Sequence, residues 1–176
     1  MEDLWMSDSE WIWLSEWNEI DNAHTKLVYF RKNFEVNNKA KKAIVKVSAD
    51  SRYRLYVNGV SVSFGPCKGD RYVWYYDEID ITSYLKEGEN VLAAVVLRYP
   101  TNNGEGNYSI WRTDIPGFYL KGTFELQGGN EIFITSDSSW KVMKSEDTLF
   151  LAEGEMSYLW IKEQASCTIC PEEYLG

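Results

Sequence analysis

Residues 52–59 read RYRLYVNG, and this short stretch decides the fold. Tyr53, Leu55 and Val57 alternate with Arg52, Arg54 and Tyr56, which is the period-two pattern of a strand with one buried face. The strand runs into Asn-Gly, the dipeptide that most readily takes positive φ at both central positions of a tight hairpin turn. We therefore predict a strand over 52–57, a two-residue turn, and a return strand over 60–64.

The same alternation recurs outward from this hairpin in both directions. It predicts strands at Leu27–Val36, Ala43–Ala49, Arg71–Ile81, Asn90–Tyr99, Phe118–Leu126 and Glu131–Thr135, with a short one near Trp140–Met143. Residues 91–97 are apolar without alternation, so this strand is expected to lie centrally and covered on both sides. One helical turn is expected over Thr82–Gly88. Eight or nine short strands between turns predict an all-β, two-sheet antiparallel sandwich.

Bulk composition excludes several classes of function. The chain has 176 residues and a formal net charge of −9, and it shows no cluster of Lys and Arg of the kind that binds nucleic acid. No stretch approaches the roughly 18 apolar residues of a membrane span. The acidic start lacks the basic and apolar regions of a signal peptide, so we expect a cytoplasmic protein. Of three cysteines, only Cys167 and Cys170 are close together, and one pair falls short of a four-ligand zinc site.

Aromatic residues are the compositional outlier, at 15% with 8 Trp and 12 Tyr. Aromatic rings favour the half-buried surface of a strand, and they also stack on the apolar faces of sugars. The excess therefore suits a β protein and is compatible with a carbohydrate binder, although most of these rings are expected to serve packing.

Catalytic groups are not expected in this chain. Glu78 and Asp80 would share one face of a strand about 7 Å apart, with Asp77 beside them, which approaches the spacing of an inverting glycosidase. They lie at a strand end, however, where Asp commonly caps or turns the chain. His24 is the single histidine and sits in a polar stretch, so it is expected to be a solvated loop residue.

An ordered set of motifs resembles the N-terminal domain of bacterial α-L-rhamnosidases. The set comprises Trp11-Ile12-Trp13, Phe30-Arg31-Lys32, 53–59 (YRLYVNG), Gly65-Pro66, Gly69-Asp70, 74–77 (WYYD), 80–82 (DIT), 88–91 (GENV) and 137–140 (DSSW). Similar domains also open β-galactosidase and β-glucuronidase relatives. The resemblance implies a jelly-roll sandwich of the galactose-binding type, placed ahead of further β domains and a catalytic α/α barrel. The inverting carboxylates would come from that barrel, which no segment here resembles. We thus expect a sandwich domain over 1–145 and, over 146–176, a terminal strand and exit segment toward a downstream domain.

Candidate carbohydrate-binding residues fall in two stretches. Residues 100–117 form the longest stretch without regular pattern, and loops longer than about 12 residues tend to be functional or disordered. Its rings could stack on a sugar while its amides and charged groups meet hydroxyls: Trp111, Tyr108, Asn103, Asn107, Arg112 and Asp114. A second group is Asp70, Arg71 and Trp74. The alternative is that the long stretch packs against a neighbouring catalytic domain, with Trp111 as its anchor.

No cofactor is required by these patterns, but calcium is compatible with the long stretch. Hard oxygen ligands of the right type are supplied by Asn102, Asn103, Glu105, Asn107 and Asp114, although their spacing does not match an EF-hand.

Three functions remain open at this stage. The first is a non-catalytic accessory domain that helps recognise or position a rhamnose-containing glycan for a barrel elsewhere in the polypeptide. The second is a structural spacer or dimerisation module without sugar affinity, for which a homodimer is compatible with the sequence. The third is a stand-alone lectin. Expected partners are a carbohydrate and the downstream domains of the same polypeptide, with no nucleic acid and no membrane.

Overall fold

A computed structural model of the chain describes residues 9–18, 25–67, 75–99 and 116–148. They form nine strands and one 3₁₀ turn. In chain order these are β1 (Lys26–Val36), β2 (Ala40–Asp50), β3 (Arg52–Val57), β4 (Val60–Gly65), β5 (Asp77–Asp80), the 3₁₀ turn (Thr82–Tyr84), β6 (Gly88–Arg98), β7 (Gly117–Leu126), β8 (Glu131–Thr135) and β9 (Lys141–Lys144). None of the described segments is a helix long and apolar enough to cross a bilayer.

The strands form two antiparallel sheets that face each other. One has five strands in the order β4-β3-β6-β1-β9, and the other has four in the order β5-β2-β7-β8. The predicted two-sheet antiparallel sandwich is confirmed. β6 lies between β3 and β1 at the centre of the larger sheet, and Asn90 through Val96 are all buried. This is the arrangement that the unbroken apolar run of 91–97 predicts, because a central strand covered on both faces has no need of alternation.

The hairpin after β3 has the predicted turn. Asn58 has φ 49° and Gly59 has φ 80°, so both central residues take the left-handed conformation that matches the twist of the flanking strands. Tyr53, Leu55 and Val57 point into the core between the sheets. Alternation in residues 52–57 therefore correctly predicts which face of β3 packs against the other sheet, although Tyr56 on the opposite face is also buried.

Apolar side chains from both sheets fill the space between them. An aromatic group sits at its centre, where the rings of Phe30 and Phe118 lie 4.9 Å apart and those of Phe118 and Trp140 lie 5.5 Å apart. Trp13 joins it, with its ring 5.8 Å from Phe30. These two tryptophans serve packing, as expected for most of the aromatic residues.

Two elements differ from their predicted bounds by more than three residues. Of the strand predicted over 71–81, residues 71–74 lie outside the described residues, and β5 begins only at Asp77, which pairs with Val47. Just before it, the carbonyl of Tyr75 accepts a hydrogen bond from the Ser48 hydroxyl at 2.8 Å. The helical turn predicted over 82–88 is a 3₁₀ turn of three residues. It ends at Leu85, which is extended at ψ 144°. The side chain of Asn90 then hydrogen-bonds both the amide and the carbonyl of Lys86.

Candidate functional site

One end of the sandwich collects the strand ends that border the predicted binding stretches. We call it the Arg98 end. There Leu97 of β6 pairs with Arg52, Gly117 of β7 pairs with Asp50, and Gly65 of β4 pairs with Tyr53. The chain leaves the described residues after 67 and after 99, and returns at 75 and at 116. All four points of exit and return therefore lie at this end.

The predicted site residues themselves lie outside the described residues. This applies to the carbohydrate-binding set (Asp70, Arg71, Trp74, Asn103, Asn107, Tyr108, Trp111, Arg112 and Asp114) and to the calcium set, which adds Asn102 and Glu105. It applies also to His24, Cys167 and Cys170. These assignments remain predictions. What the structure adds is that the borders of both stretches share one end of the sandwich, which is where sandwich domains usually bind.

A buried ion pair fixes the centre of the Arg98 end. The Nη1 of Arg98 lies 3.6 Å from the Oδ1 of Asp50, and both side chains are fully buried. Arg98 also donates from Nη1 to the carbonyl of Tyr99 at 2.7 Å, and the amide of Tyr99 donates to the Ser51 hydroxyl at 3.2 Å. The last residues of β6 are thus held from two sides before the chain leaves toward residue 100.

The border of the other stretch is held in a similar way. The Nη1 of Arg52 donates to the carbonyl of Pro66 at 2.7 Å, immediately after β4. Tyr53 donates its phenolic proton to Asp77 Oδ2 at 2.5 Å, and a Cβ at position 65 would collide with this carboxylate, so glycine is required there. Burial, and then the hydrogen bond to Asp77, raise the pKa of the Tyr53 phenol far above its usual value. Asp77 is therefore a structural acceptor.

The remaining acids of β5 are engaged as well. Glu78 lies 3.9 Å from Lys46 across the sheet. Asp80 Oδ1 accepts from the Thr82 hydroxyl at 2.5 Å and from the Thr82 amide at 2.9 Å. These hydrogen bonds hold the pKa of Asp80 below its ordinary value. A glycosidase general acid needs a raised pKa, so Asp80, which is held in a local turn with Thr82, does not suit the role of proton donor.

A groove beside the Arg98 end is a site that sequence reasoning missed. It has a volume of about 480 Å³ and is lined by residues 14–17, 142–144, Lys26 and Glu146. Trp17 is its aromatic element. The Trp17 ring meets Trp13 edge-on, with centroids 6.1 Å apart and an interplanar angle of 84°, and the guanidinium of Arg98 lies 5.8 Å from its centroid. The groove thus combines a fixed indole with lysine and glutamate side chains, which offer a sugar both a stacking surface and hydrogen-bonding groups.

Sequence distance explains why this groove was missed. Its walls come from positions more than 100 residues apart, and only the register of β9 against β1 brings Met143 opposite Tyr29. The available signal was the spacing of the tryptophans. Trp11 and Trp13 have the period-two spacing of a strand, and Trp17 follows four positions later, outside that pattern. Among the described residues, no group of three His, Cys, Asp or Glu side chains converges as a metal site would require.

A sequence profile of the α-L-rhamnosidase N-terminal domain matches residues 38–152. The chain belongs to this family. The resemblance drawn from the ordered motifs is confirmed, and the profile covers β2 through β9 of the rhamnosidase N-terminal domain described here. No curated protein sequence matches the chain significantly.

Solved structures of similar fold include whole rhamnosidases and a lectin. The α-L-rhamnosidase of Aspergillus terreus aligns with a TM-score of 0.64 and 24% identity, over 81% of this chain and 17% of that one. The Streptomyces avermitilis α-L-rhamnosidase, solved with L-rhamnose, gives 0.52 and 22%, over 83% and 13%. The Pleurotus ostreatus lectin gives 0.57 and 25%, over 78% and 35%. The chain thus spans less than a fifth of these rhamnosidases and about a third of the lectin.

Proposed function

We propose that this rhamnosidase N-terminal domain is a non-catalytic accessory module that recognises or positions a rhamnose-containing glycan for a catalytic barrel elsewhere in the polypeptide. The groove at Trp17 carries the proposal. It joins an indole to charged hydrogen-bonding groups, and it lies at the end of the sandwich where both predicted binding stretches begin and end. The fold shared with a lectin is a further support.

The chemistry of the groove suits a neutral sugar. The C–H faces of a pyranose pack on an indole, while its hydroxyls need donors and acceptors that stay partly solvated. Lys26 and Lys144 supply donors, and Glu16 and Glu146 supply acceptors. The two signs of charge balance, so the groove gives no net attraction for an anion or a cation.

Rigidity is the other requirement, because a site held in place before binding loses less entropy when ligand arrives. Trp17 is held by the edge of Trp13 and by Arg98, whose guanidinium is in turn fixed by the buried carboxylate of Asp50. The indole is therefore attached to the sheet frame through a fully buried ion pair.

Calorimetric titration of the chain with L-rhamnose, galactose and rhamnose-containing oligosaccharides tests the proposal, with tryptophan fluorescence followed in parallel and with calcium present or absent. Trp17→Ala is expected to weaken sugar binding about tenfold, which corresponds to about 1.4 kcal/mol of lost stacking. Phe133→Ala is the matched control, since this exposed ring lies on β8, outside the groove.

Unchanged affinity in Trp17→Ala would show that the groove is not the sugar site. Trp111→Ala, in the predicted long stretch, would then be the next variant to titrate. No heat with any sugar at tens of millimolar, with or without calcium, would instead support the spacer function. The chain is also expected to leave an aryl rhamnoside uncleaved. Cleavage that disappears on changing Asp77, Glu78 or Asp80 would overturn the non-catalytic assignment.

A further inference from the structure

The outer face of the five-stranded sheet carries a second apolar cluster, separate from the core. Its buried members are Tyr29, Tyr56, Ala93 and Val95, with exposed fractions of 3%, 8%, 1% and 7%. Leu27 and Met143 pack against them. We call this set the outer-face cluster. All six residues come from the five-stranded sheet itself, on the side opposite to the core.

A sheet face of this kind needs a further layer. An apolar face is stable only when another element packs on it, and the four-stranded sheet already occupies the inner face. Beside the cluster the face opens into a groove of about 550 Å³, whose lining includes Tyr56, Val95, Leu97 and the exposed ring of Phe64. The cluster is almost fully buried, whereas the adjoining groove is exposed to solvent. This combination indicates a covering element that crosses only part of the face.

The outer face also carries an excess of positive charge. Arg52 and Arg54 line the open groove together with Val95. Arg31 pairs with Ala93 on one side and with Lys141 on the other, so it lies on the same face between β6 and β9. Four cations therefore border the outer-face cluster, against two glutamates, Glu35 and Glu89, that pair with each other farther along the same face, in a protein whose net charge is −9. The covering element is expected to be apolar and acidic.

Residues 149–176 meet both conditions. They contain the aromatic hexapeptide Met156–Ile161 (MSYLWI) and carry five glutamates against one lysine. Twenty-eight residues can reach on the order of 90 Å when extended, whereas the five-stranded sheet is about 19 Å wide.

The chain also leaves β9 beside the outer-face cluster. The amide of Ser145 donates to the carbonyl of Leu27 at 2.8 Å, and Tyr29 donates its phenolic proton to the Ser145 hydroxyl at 3.2 Å. The described residues end three positions later, at Thr148. The segment that follows therefore starts at the border of the face it would cover.

We propose that residues 149–176 pack across the outer face of the five-stranded sheet, with Met156–Ile161 against the outer-face cluster and their flanking glutamates beside Arg31, Arg52, Arg54 and Lys141. The inference does not rest on sugar binding, although Met143 borders both the outer-face cluster and the Trp17 groove. It gives the C-terminal segment a place in the domain itself.

Site-specific photocrosslinking of the full chain tests the proposal. Benzoylphenylalanine replaces Tyr56, where the adjoining groove has room for the added ring, and in a matched control it replaces Phe133, which is 62% exposed on the other sheet. Irradiation should join position 56 to a peptide within 149–176 of the same chain, and position 133 should give no such product. A crosslinked dimer, a crosslink to another part of the chain, or no crosslink at position 56 would overturn the proposal.

A second measurement uses the side chain of Met143, which packs against the outer-face cluster. Met143 is half-buried and also lines the Trp17 groove, so Trp160→Ser should expose its thioether further, and its rate of oxidation by peroxide should rise several-fold over that in the unaltered chain. An unchanged rate in a folded variant would contradict the proposed packing. If Trp160→Ser fails to fold, the crosslinking of the unaltered C-terminal segment still decides the question.

Discussion

Asn90 is the residue whose replacement should most clearly reveal how the sandwich is closed at the end opposite to Arg98. Its side chain is fully buried and makes four hydrogen bonds. Nδ2 donates to the carbonyls of Lys86 and Gly88 at 2.7 and 2.9 Å. Oδ1 accepts from the Lys86 amide at 3.0 Å and from Asn58 Nδ2 at 2.9 Å. One amide thus joins the turn before β6 to the hairpin after β3.

The expected cost of Asn90→Ala follows from the fate of each partner. A neutral hydrogen bond contributes about 1 kcal/mol net, and an unsatisfied buried partner costs about 1–3 kcal/mol. Water can reach the backbone groups of Lys86 and Gly88 because both residues are at least partly exposed, and Asn58 Nδ2 keeps its bond to the Tyr84 carbonyl at 2.9 Å. Rehydration therefore limits the loss to about 3 kcal/mol of unfolding free energy.

Asn90→Asp separates shape from charge. The side chain keeps its size and its acceptor, but at pH 7 an ionised oxygen faces the carbonyls of Lys86 and Gly88, and a buried charge without a partner costs about 3–5 kcal/mol. The loss should be larger than for alanine at pH 7 and smaller near pH 4, because a protonated carboxyl can donate one of the two bonds. The sign follows from linkage, since the native state then binds the proton more tightly than the unfolded chain.

Urea unfolding followed by tryptophan fluorescence and far-ultraviolet circular dichroism measures these losses. With a slope of about 1–3 kcal/mol per molar, Asn90→Ala should lower the midpoint by about 1–3 M. Asn130→Ala is the control, because that exposed residue contributes its backbone carbonyl to the Leu126 amide at 2.8 Å, and its effect should stay within about 0.5 kcal/mol. A loss below about 1 kcal/mol for Asn90→Ala would refute the reasoning, since the four bonds would then be readily replaced by water.

Two further predictions concern the core and the contact between Asp80 and Thr82. Phe118→Ala should destabilise the fold by about 3–5 kcal/mol in urea unfolding, because this fully buried ring lies at the centre of the aromatic group, whereas exposed Phe133→Ala should change stability by less than about 0.5 kcal/mol. Equal losses would contradict the assigned core. Thr82→Val should raise the pKa of Asp80 toward its ordinary value in a carboxyl titration by nuclear magnetic resonance, because the Thr82 hydroxyl is the main cause of the depressed pKa. The stabilisation from this contact is present above the unfolded pKa and is lost as pH falls through the lower folded pKa, so an unshifted titration would refute it.

The strands could be predicted because their signals are local. The alternation in 52–57 and the Asn58-Gly59 turn are set by neighbours in the chain, and so is the continuous apolar run of β6. The order of strands in each sheet could not be derived in this way, because β3 pairs with β6 and β1 with β9 through contacts far apart in sequence. Period-two patterns specify which face is buried and leave the partner open.

The buried polar groups were the least predictable part of the site. Arg is almost never fully buried unless it is paired with an acid. The partner of Arg98 is Asp50, which lies 48 positions earlier, so no local sequence pattern predicts the pair. Asn90 likewise appeared only as the first residue of a predicted strand and as part of a family motif, without a role of its own. The groove at Trp17 depends on β9 being placed next to β1. For the two predicted binding stretches, the sequence indicates which residues have suitable chemistry for a sugar. The structure shows that the borders of both stretches lie at the same end of the sandwich.

The two ends of the sandwich differ in the connections between their strands. Substitutions at one end are therefore expected to affect stability, and substitutions at the other to affect sugar binding. At the Asn90 end the connections are short turns closed by hydrogen bonds, including the Gln127 amide to the Lys39 carbonyl at 2.9 Å. At the Arg98 end the connections between β4 and β5 and between β6 and β7 are long, and they carry the candidate ligand residues. Asn90→Ala should therefore lower the unfolding free energy while leaving sugar affinity unchanged well below the unfolding transition. Trp17→Ala should do the reverse, because the indole lines an open groove and removing it leaves the central core intact.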